Sequence, residues 1–125
     1  MANLKKGEWG VYAVTNSFSL KFIKESKDDI PRLQEMDNGN ADYFDFMDDG
    51  KFKRRQINRY SACDFEGTFS FDAEKQKVVI DVTKRSQLSF EANKKKEIFK
   101  ILYLKDGLLV FKRNSKVHYL YNVEY

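Results

Sequence analysis

Four aspartates, Asp42, Asp45, Asp48 and Asp49, stand just before Gly50 at a spacing that invites a calcium loop. With Asp45 at the first loop position, Asp49 falls fifth and Gly50 sixth, but Met47 falls third and Gln56 twelfth. Those two positions need an oxygen ligand and a bidentate Glu, so a solvated hairpin is the better account. His118 is the single histidine, which excludes a multi-histidine zinc site and a facial triad. Cys63 is the single cysteine, so neither an intrachain disulfide nor a cysteine metal cage is available. No nucleophile elbow or local cysteine signature accompanies either residue. His118 alternates with tyrosines and reads as a surface or barrel-wall position; Cys63 reads as a small hydrophobe.

Basic residues gather at Lys51, Lys53, Arg54, Arg55 and Arg59, and again at Lys94-Lys95-Lys96. On a strand, Lys51, Lys53 and Arg55 share one face and Phe52 and Arg54 the other, an arrangement that could track single-stranded nucleic acid. The net charge is only +4, from 23 basic and 19 acidic residues, and no RNA-binding strand signature is present. Charged edge positions that deter aggregation explain these residues better, so nucleic acid is not expected as a partner. No glycine-rich phosphate loop occurs, and nothing in the chain demands a cofactor or a metal.

The aromatic surplus carries more information. Phe occurs 11 times and Tyr 7 times in 125 residues. Trp9, Phe44, Phe46, Phe69, Phe71, Tyr119 and Tyr121 are the candidates to line a ligand site, with Phe65, Phe99 and Phe111 beside them. Two readings stay open. Large side chains can fill the interior of a small barrel, or rings can line an apolar pocket in which a few polar groups fix orientation.

These residues must be positioned by strands. From Ala41 onward, short runs with period-two alternation are separated by turn signals. Tyr43–Met47 and Phe52–Tyr60 flank Asp48-Asp49-Gly50, and Glu97–Leu104 and Leu108–Arg113 flank Asp106-Gly107, a strong hairpin chemistry. Phe65, Gly67, Phe69 and Phe71 share a face; after a polar turn at Asp72–Gln76, so do Val78, Ile80 and Val82. A short strand is expected over Arg85–Phe90, then a turn at Asn114-Ser115. The last strand sets Val117, Tyr119, Tyr121 and Val123 opposite His118, Leu120, Asn122 and Glu124.

In the first third, Glu8–Thr15 reads as a strand with Trp9, Val11 and Ala13 on one face. Phe18, Leu20 and Phe22 alternate with Ser17, Ser19 and Lys21, which favours a second strand, although a helix would also pair Phe18 with Phe22. A short helix is predicted from Asp28-Asp29-Ile30-Pro31 to Met36, placed as a lid or plug over one barrel end. The expectation is a single all-β domain over residues 1–125: eight to ten antiparallel strands closed into an up-and-down barrel, with one short helix. Closure removes the exposed edges of such a meander. Trp9, Phe69, Phe71, Val78, Ile80, Val82, Leu102 and Val110 are expected to face inwards.

Several motifs together carry a resemblance. Gly7-Glu8-Trp9, Phe44-Asp45-Phe46 before Asp49-Gly50-Lys51-Phe52, Gly67-Thr68-Phe69-Ser70-Phe71-Asp72, and Leu102 to Phe111 around Asp106-Gly107 resemble the bacterial lipocalin-like domains. The stretch from Asn16 to Asn40 is longer and more charged than that pattern leads one to expect. Members of the group often carry an export or lipoprotein leader, so a periplasmic or surface location follows if a leader was removed, and a cytoplasmic one if Met1 is the native start. The resemblance implies an up-and-down barrel with an apolar interior, and no catalytic residues. The function expected is therefore non-enzymatic binding of a small apolar or amphipathic ligand. The alternative is an inhibitor or immunity-type module contacting a protein partner through the charged segment 25–40.

Overall fold

The computed structural model describes residues 4–5, 7–29, 41–57, 62–85 and 96–123. In chain order the elements are β1 (Glu8–Thr15), α1 (Leu20–Ser26), a 3-10 turn (Lys27–Asp29), β2 (Ala41–Phe46), β3 (Lys51–Ile57), β4 (Ala62–Asp72), β5 (Lys77–Arg85), β6 (Lys96–Lys105), β7 (Leu108–Arg113) and β8 (Lys116–Asn122). Each strand pairs antiparallel with the next, and β1 closes on β8 from Trp9↔Asn122 to Thr15↔Val117. Among the described residues the barrel therefore has eight strands and no open edge.

The turns follow the chemistry of their residues. Gly50 (φ 81°) and Gly107 (φ 75°) supply the left-handed conformation that tight hairpins require. Asp106, Asn114 and Ser115 also adopt positive φ, the last two forming a tight turn without glycine. At the polar turn, the Asp72 carboxylate accepts from the backbone N–H groups of Glu74 and Lys75. Register shifts at Val11/Ala13, Glu66/Gly67 and Ile101/Tyr103 mark bulges that bend the sheet towards closure.

Two apolar clusters lie on opposite sides of the wall. The interior one joins Leu4, Trp9, Phe44, Phe46, Phe52, Val78, Ile80, Phe99, Ile101, Leu109, Phe111 and Leu120, with Phe69, Phe71 and Val82 packed against it. The outer one joins Ile23 of α1 to Leu108, Val110, Val117 and Tyr119, with Phe22 and Leu102 against it. Leu102 and Val110 thus face outwards, contrary to expectation. The bulge after Ile101 displaces Leu102 from the inward set, and α1 covers the outside of β7, so the run Leu108–Phe111 is buried on both faces and alternation cannot orient it.

The segment expected as a strand over Ser17–Phe22 instead leads into α1, which begins at Leu20. Ser19 caps the helix, its Oγ accepting from the Phe22 N–H at 3.1 Å, and the helical period turns Phe22 and Ile23 together onto the barrel wall. This helix straps the side of the barrel. The helix predicted over 28–36 falls largely outside the described residues, its first positions belonging to the 3-10 turn; most of the strand at Arg85–Phe90 lies outside them too.

Candidate functional site

Strand parity decides which side chains enter the barrel. Phe44 lies opposite Arg54 and Phe46 opposite Phe52, and Arg54 lies opposite Phe65, so Asp42, Phe44, Phe46, Phe52, Arg54, Gln56, Cys63 and Phe65 share the interior face. Across the lumen Phe44 of β2 meets Phe99 of β6 (ring centroids 5.7 Å) and Phe111 of β7 (5.4 Å), and Phe99 stacks on Phe111 at 4.5 Å. Phe46 meets Phe52 at 5.5 Å and Phe69 at 5.2 Å. These rings occupy the middle of the lumen themselves.

One end is closed beneath them. Leu4 is fully buried and its carbonyl accepts from Trp9 Nε1 at 2.9 Å. The other end, where β2, β4, β6 and β8 begin, carries an unexpected polar tier above the rings. Arg54 donates through Nε and Nη2 to the Asp42 carboxylate (3.0 and 2.7 Å), while its guanidinium lies over Phe44 (4.8 Å) and Phe65 (5.5 Å). Arg113 donates in the same two-pronged manner to Glu97 (2.8 and 2.8 Å) and lies over Phe99 at 5.7 Å. His118 sits on Phe111, ring centroids 5.3 Å apart. Each ring of the central triad is thus topped by a nitrogen-bearing plane.

Both guanidinium side chains are only 5% exposed, while Asp42 keeps 22% and Glu97 10%. Gln56, opposite Asp42 and Cys63, has a buried Oε1 with no hydrogen-bond partner. Val14, opposite His118 on the rim, remains half exposed, so solvent reaches this end.

Of the seven residues expected to line a ligand site, Trp9, Phe44, Phe46, Phe69 and Phe71 belong to the interior cluster. Tyr119 and Tyr121 do not; they face outwards, and the Tyr119 hydroxyl accepts from the Ser19 N–H (3.0 Å) and donates to the Ser17 carbonyl (3.2 Å), pinning α1. Tyr12 adds a hydroxyl contact to Ser26 at 3.2 Å, and burial raises its pKa above the ordinary tyrosine value. His118, read as a surface or wall residue, is buried inside.

Sequence reasoning missed Asp42, Arg54, Gln56, Glu97 and Arg113 as a group. The available signal was parity, since each alternates in phase with an inward aromatic or aliphatic residue of its own strand. The basic run is correspondingly split. Arg54 turns inwards, and Lys53 and Arg55 stay outside among acids, Lys53 opposite Asp45 and Glu66 and Arg55 at 3.4 Å from Asp64. That outer surface forms a shallow groove of ≈ 290 Å³ between Tyr43, Lys53, Arg55, Asp64 and Glu66, a charge-laced sheet face. Burial, together with Tyr121 and Glu8, raises the pKa of Tyr43 there. Among the described residues no three His, Cys, Asp or Glu side chains gather to hold a metal, and no helix is long and apolar enough to cross a membrane.

No family model matches the chain, and no curated protein is similar to it. Solved structures are. A lipocalin-like protein from Bacteroides uniformis superposes with TM-score 0.61 at 10% identity, covering 95% of this chain and 98% of its own. An uncharacterised protein from Bacteroides eggerthii gives 0.57 at 11% identity, covering 93% and 97%. A DUF4847 family protein from Bacteroides vulgatus gives 0.58 at 16% identity, covering 98% and 96%. With a closed eight-stranded meander and one strapping helix, the chain has the fold of the bacterial lipocalin-like barrels.

Proposed function

We propose that this barrel binds a small molecule inside the end that carries the polar tier, and that it binds without turnover. The observation that supports this reading is the division of the lumen. Its apolar half is filled by the protein's own rings and by Leu4, whereas the opposite half holds two arginine–carboxylate pairs that a purely structural core does not need. Buried ion pairs add little net stability compared with apolar side chains of the same volume, so retaining two of them argues for another use. The ligand is accordingly amphipathic or polar rather than wholly apolar. Its polar part faces the tier, and any apolar part rests on Phe65 and the rim. Turnover is not part of the reading, because both carboxylates of the tier are already engaged two-pronged by arginines.

The test is native mass spectrometry of the purified protein incubated with an extract of small metabolites, followed by thermal denaturation with each captured species. One-to-one capture with a raised melting temperature is expected, and Arg113→Met should abolish it. A protein that captures nothing, or whose captured molecule is converted, overturns the reading.

A further inference from the structure

The outer wall over β5, β6 and β7 carries charges largely of one sign. Parity sends Val78, Ile80, Phe99, Ile101 and Phe111 inwards, so Lys77, Lys100 and Lys112 stand outside. Register places Lys77 opposite Lys100 and Lys100 opposite Lys112, a row of three lysines across three neighbouring strands. Like charges directly opposite each other destabilise a sheet. Among the described residues none of the three forms an ion pair. Two carboxylates adjoin the row in register. Asp72 of β4 lies opposite Lys77 but accepts from the backbone of its own turn, and Asp81 of β5 lies opposite a fourth lysine, Lys96. On the far side Lys112 lies opposite Val117, which packs with Ile23 of α1. Between Lys96 and Lys100 stands Ile98, 58% exposed and opposite Val79. The barrel thus keeps a self-repelling cationic row with a protruding aliphatic side chain beside it.

We propose that this wall docks on an anionic membrane surface, with Ile98 entering the headgroup layer and Lys77, Lys96, Lys100 and Lys112 meeting lipid phosphates. Three features favour a bilayer over other polyanions. Lysine is a flexible, strongly hydrated point charge, suited to headgroups that move to meet it, whereas a rigid anionic partner is better gripped by fixed forks like the arginines inside. An aliphatic side chain set among lysines matches an interface, where the stems lie along the hydrocarbon boundary and the charged heads stay among the headgroups. Around Val79 and Ile98 the described residues present no ring on which a nucleic-acid base could stack. Each lysine held near an anionic surface multiplies affinity by roughly five. Ligand binding inside the barrel is not required for this contact.

The test is co-sedimentation of the whole chain with vesicles of phosphatidylcholine alone and of phosphatidylcholine mixed with phosphatidylglycerol, at low salt and again at about 0.5 M. Binding is expected to the mixed vesicles at low salt only. The variant Lys77→Gln/Lys100→Gln/Lys112→Gln is expected to bind about a hundredfold more weakly, three lysines at roughly fivefold each. Its melting temperature is expected to stay level or rise, because the repulsion along the row is gone. That opposition of stability and binding marks a docking surface rather than a structural one. Ile98→Ser is expected to weaken binding roughly fivefold while keeping its salt dependence. Equal binding to phosphatidylcholine alone overturns the electrostatic basis, and undiminished binding by the triple variant overturns the choice of face. Failure to bind either vesicle overturns the proposal outright. Tighter binding of polyglutamate or of duplex DNA than of mixed vesicles, at the same salt, assigns the row to a soluble polyanion and overturns the bilayer. Should the triple variant not fold, Lys100→Gln at the centre of the row carries the same comparison at roughly fivefold.

Discussion

Arg54 concentrates the physics of the interior in one side chain. Its guanidinium is bonded twice to Asp42 and lies between two phenylalanine faces, at 5% exposure. Removing it takes away the guanidinium bonded twice to the Asp42 carboxylate, which is itself only 22% exposed. Arg54→Met should therefore cost about 3 kcal/mol, towards the lower end for breaking a buried pair because Asp42 retains some water. The double change Asp42→Leu/Arg54→Met should return to within about 1 kcal/mol of the unmodified protein, since two apolar side chains replace two desolvated charges. Urea unfolding of both variants decides this; a double variant as weak as the single one would show that the pair contributes net stability of its own. Parity along the strand reveals this residue in the sequence, because Phe52 and Arg54 share a face. What hid its role is that a charge on an inward face contradicts the rule that charged side chains seek solvent. The same conflict left His118 read as a surface or barrel-wall position, although its face is shared with Leu120 and Asn122.

Local sequence and tertiary contact compete visibly at the scale of elements. Turns were legible wherever their chemistry is local: Gly50, Gly107, the Asp72 carboxylate and Asn114-Ser115 all act within two or three residues of themselves. The segment around α1 was not legible. Alternation of Phe18, Leu20 and Phe22 fits a strand as well as it fits one helical turn, and what decides is the Ser19 cap together with the outer face of β8, far away in sequence. Tyr12 and Tyr119 hold this helix, which gives the strap a pH dependence. The pKa of Tyr12 is raised in the folded protein above the ordinary tyrosine value, mainly by burial, so the unfolded chain releases its proton first as pH rises. Its contribution to stability is complete below about pH 10 and is lost as pH rises through the higher folded value. Equilibrium unfolding at pH 8 and at pH 11 should show a fall that is smaller in Tyr12→Phe. An equal fall in both proteins would remove Tyr12 from the account. Gly67 is a different constraint, at the bulge between β4 and β5. A methyl group there would lie 2.0 Å from the Asp81 carbonyl oxygen, a backbone atom that cannot move aside without opening the ladder. Gly67→Ala is expected to destabilise by at least about 3 kcal/mol, or to prevent folding, which a thermal melt against the unmodified chain detects at once.

As a whole molecule, the barrel is asymmetric along its axis, and that asymmetry follows from where the chain places apolar and polar residues on inward positions. Hairpin turns at Met47–Gly50, Ala73–Gln76 and Asp106–Gly107 share the closed end with Leu4, Lys5 and Trp9; the polar tier stands at the other. The fold class was legible because period-two runs and turn residues recur along most of the chain, whereas the filling of the lumen depends on rings that meet only when β2, β6 and β7 are brought face to face. Leu4 illustrates this, since no local pattern announces that a residue before the first strand is fully buried. Its side chain fills the floor and its carbonyl receives the indole N–H, so Leu4→Asp should destabilise by about 3–5 kcal/mol, combining lost apolar burial with an uncompensated charge. Because Trp9 is the only tryptophan, its emission reports this end alone. In Leu4→Asp the folded-state emission should move to longer wavelength as water enters. Titration of the unmodified protein with a molecule that binds the polar tier should leave it unchanged, the Phe44, Phe99 and Phe111 rings lying between. A tight ligand that strongly quenched Trp9 would place the binding chamber at the closed end, and the division of the barrel into a filled half and a receptive half would fail.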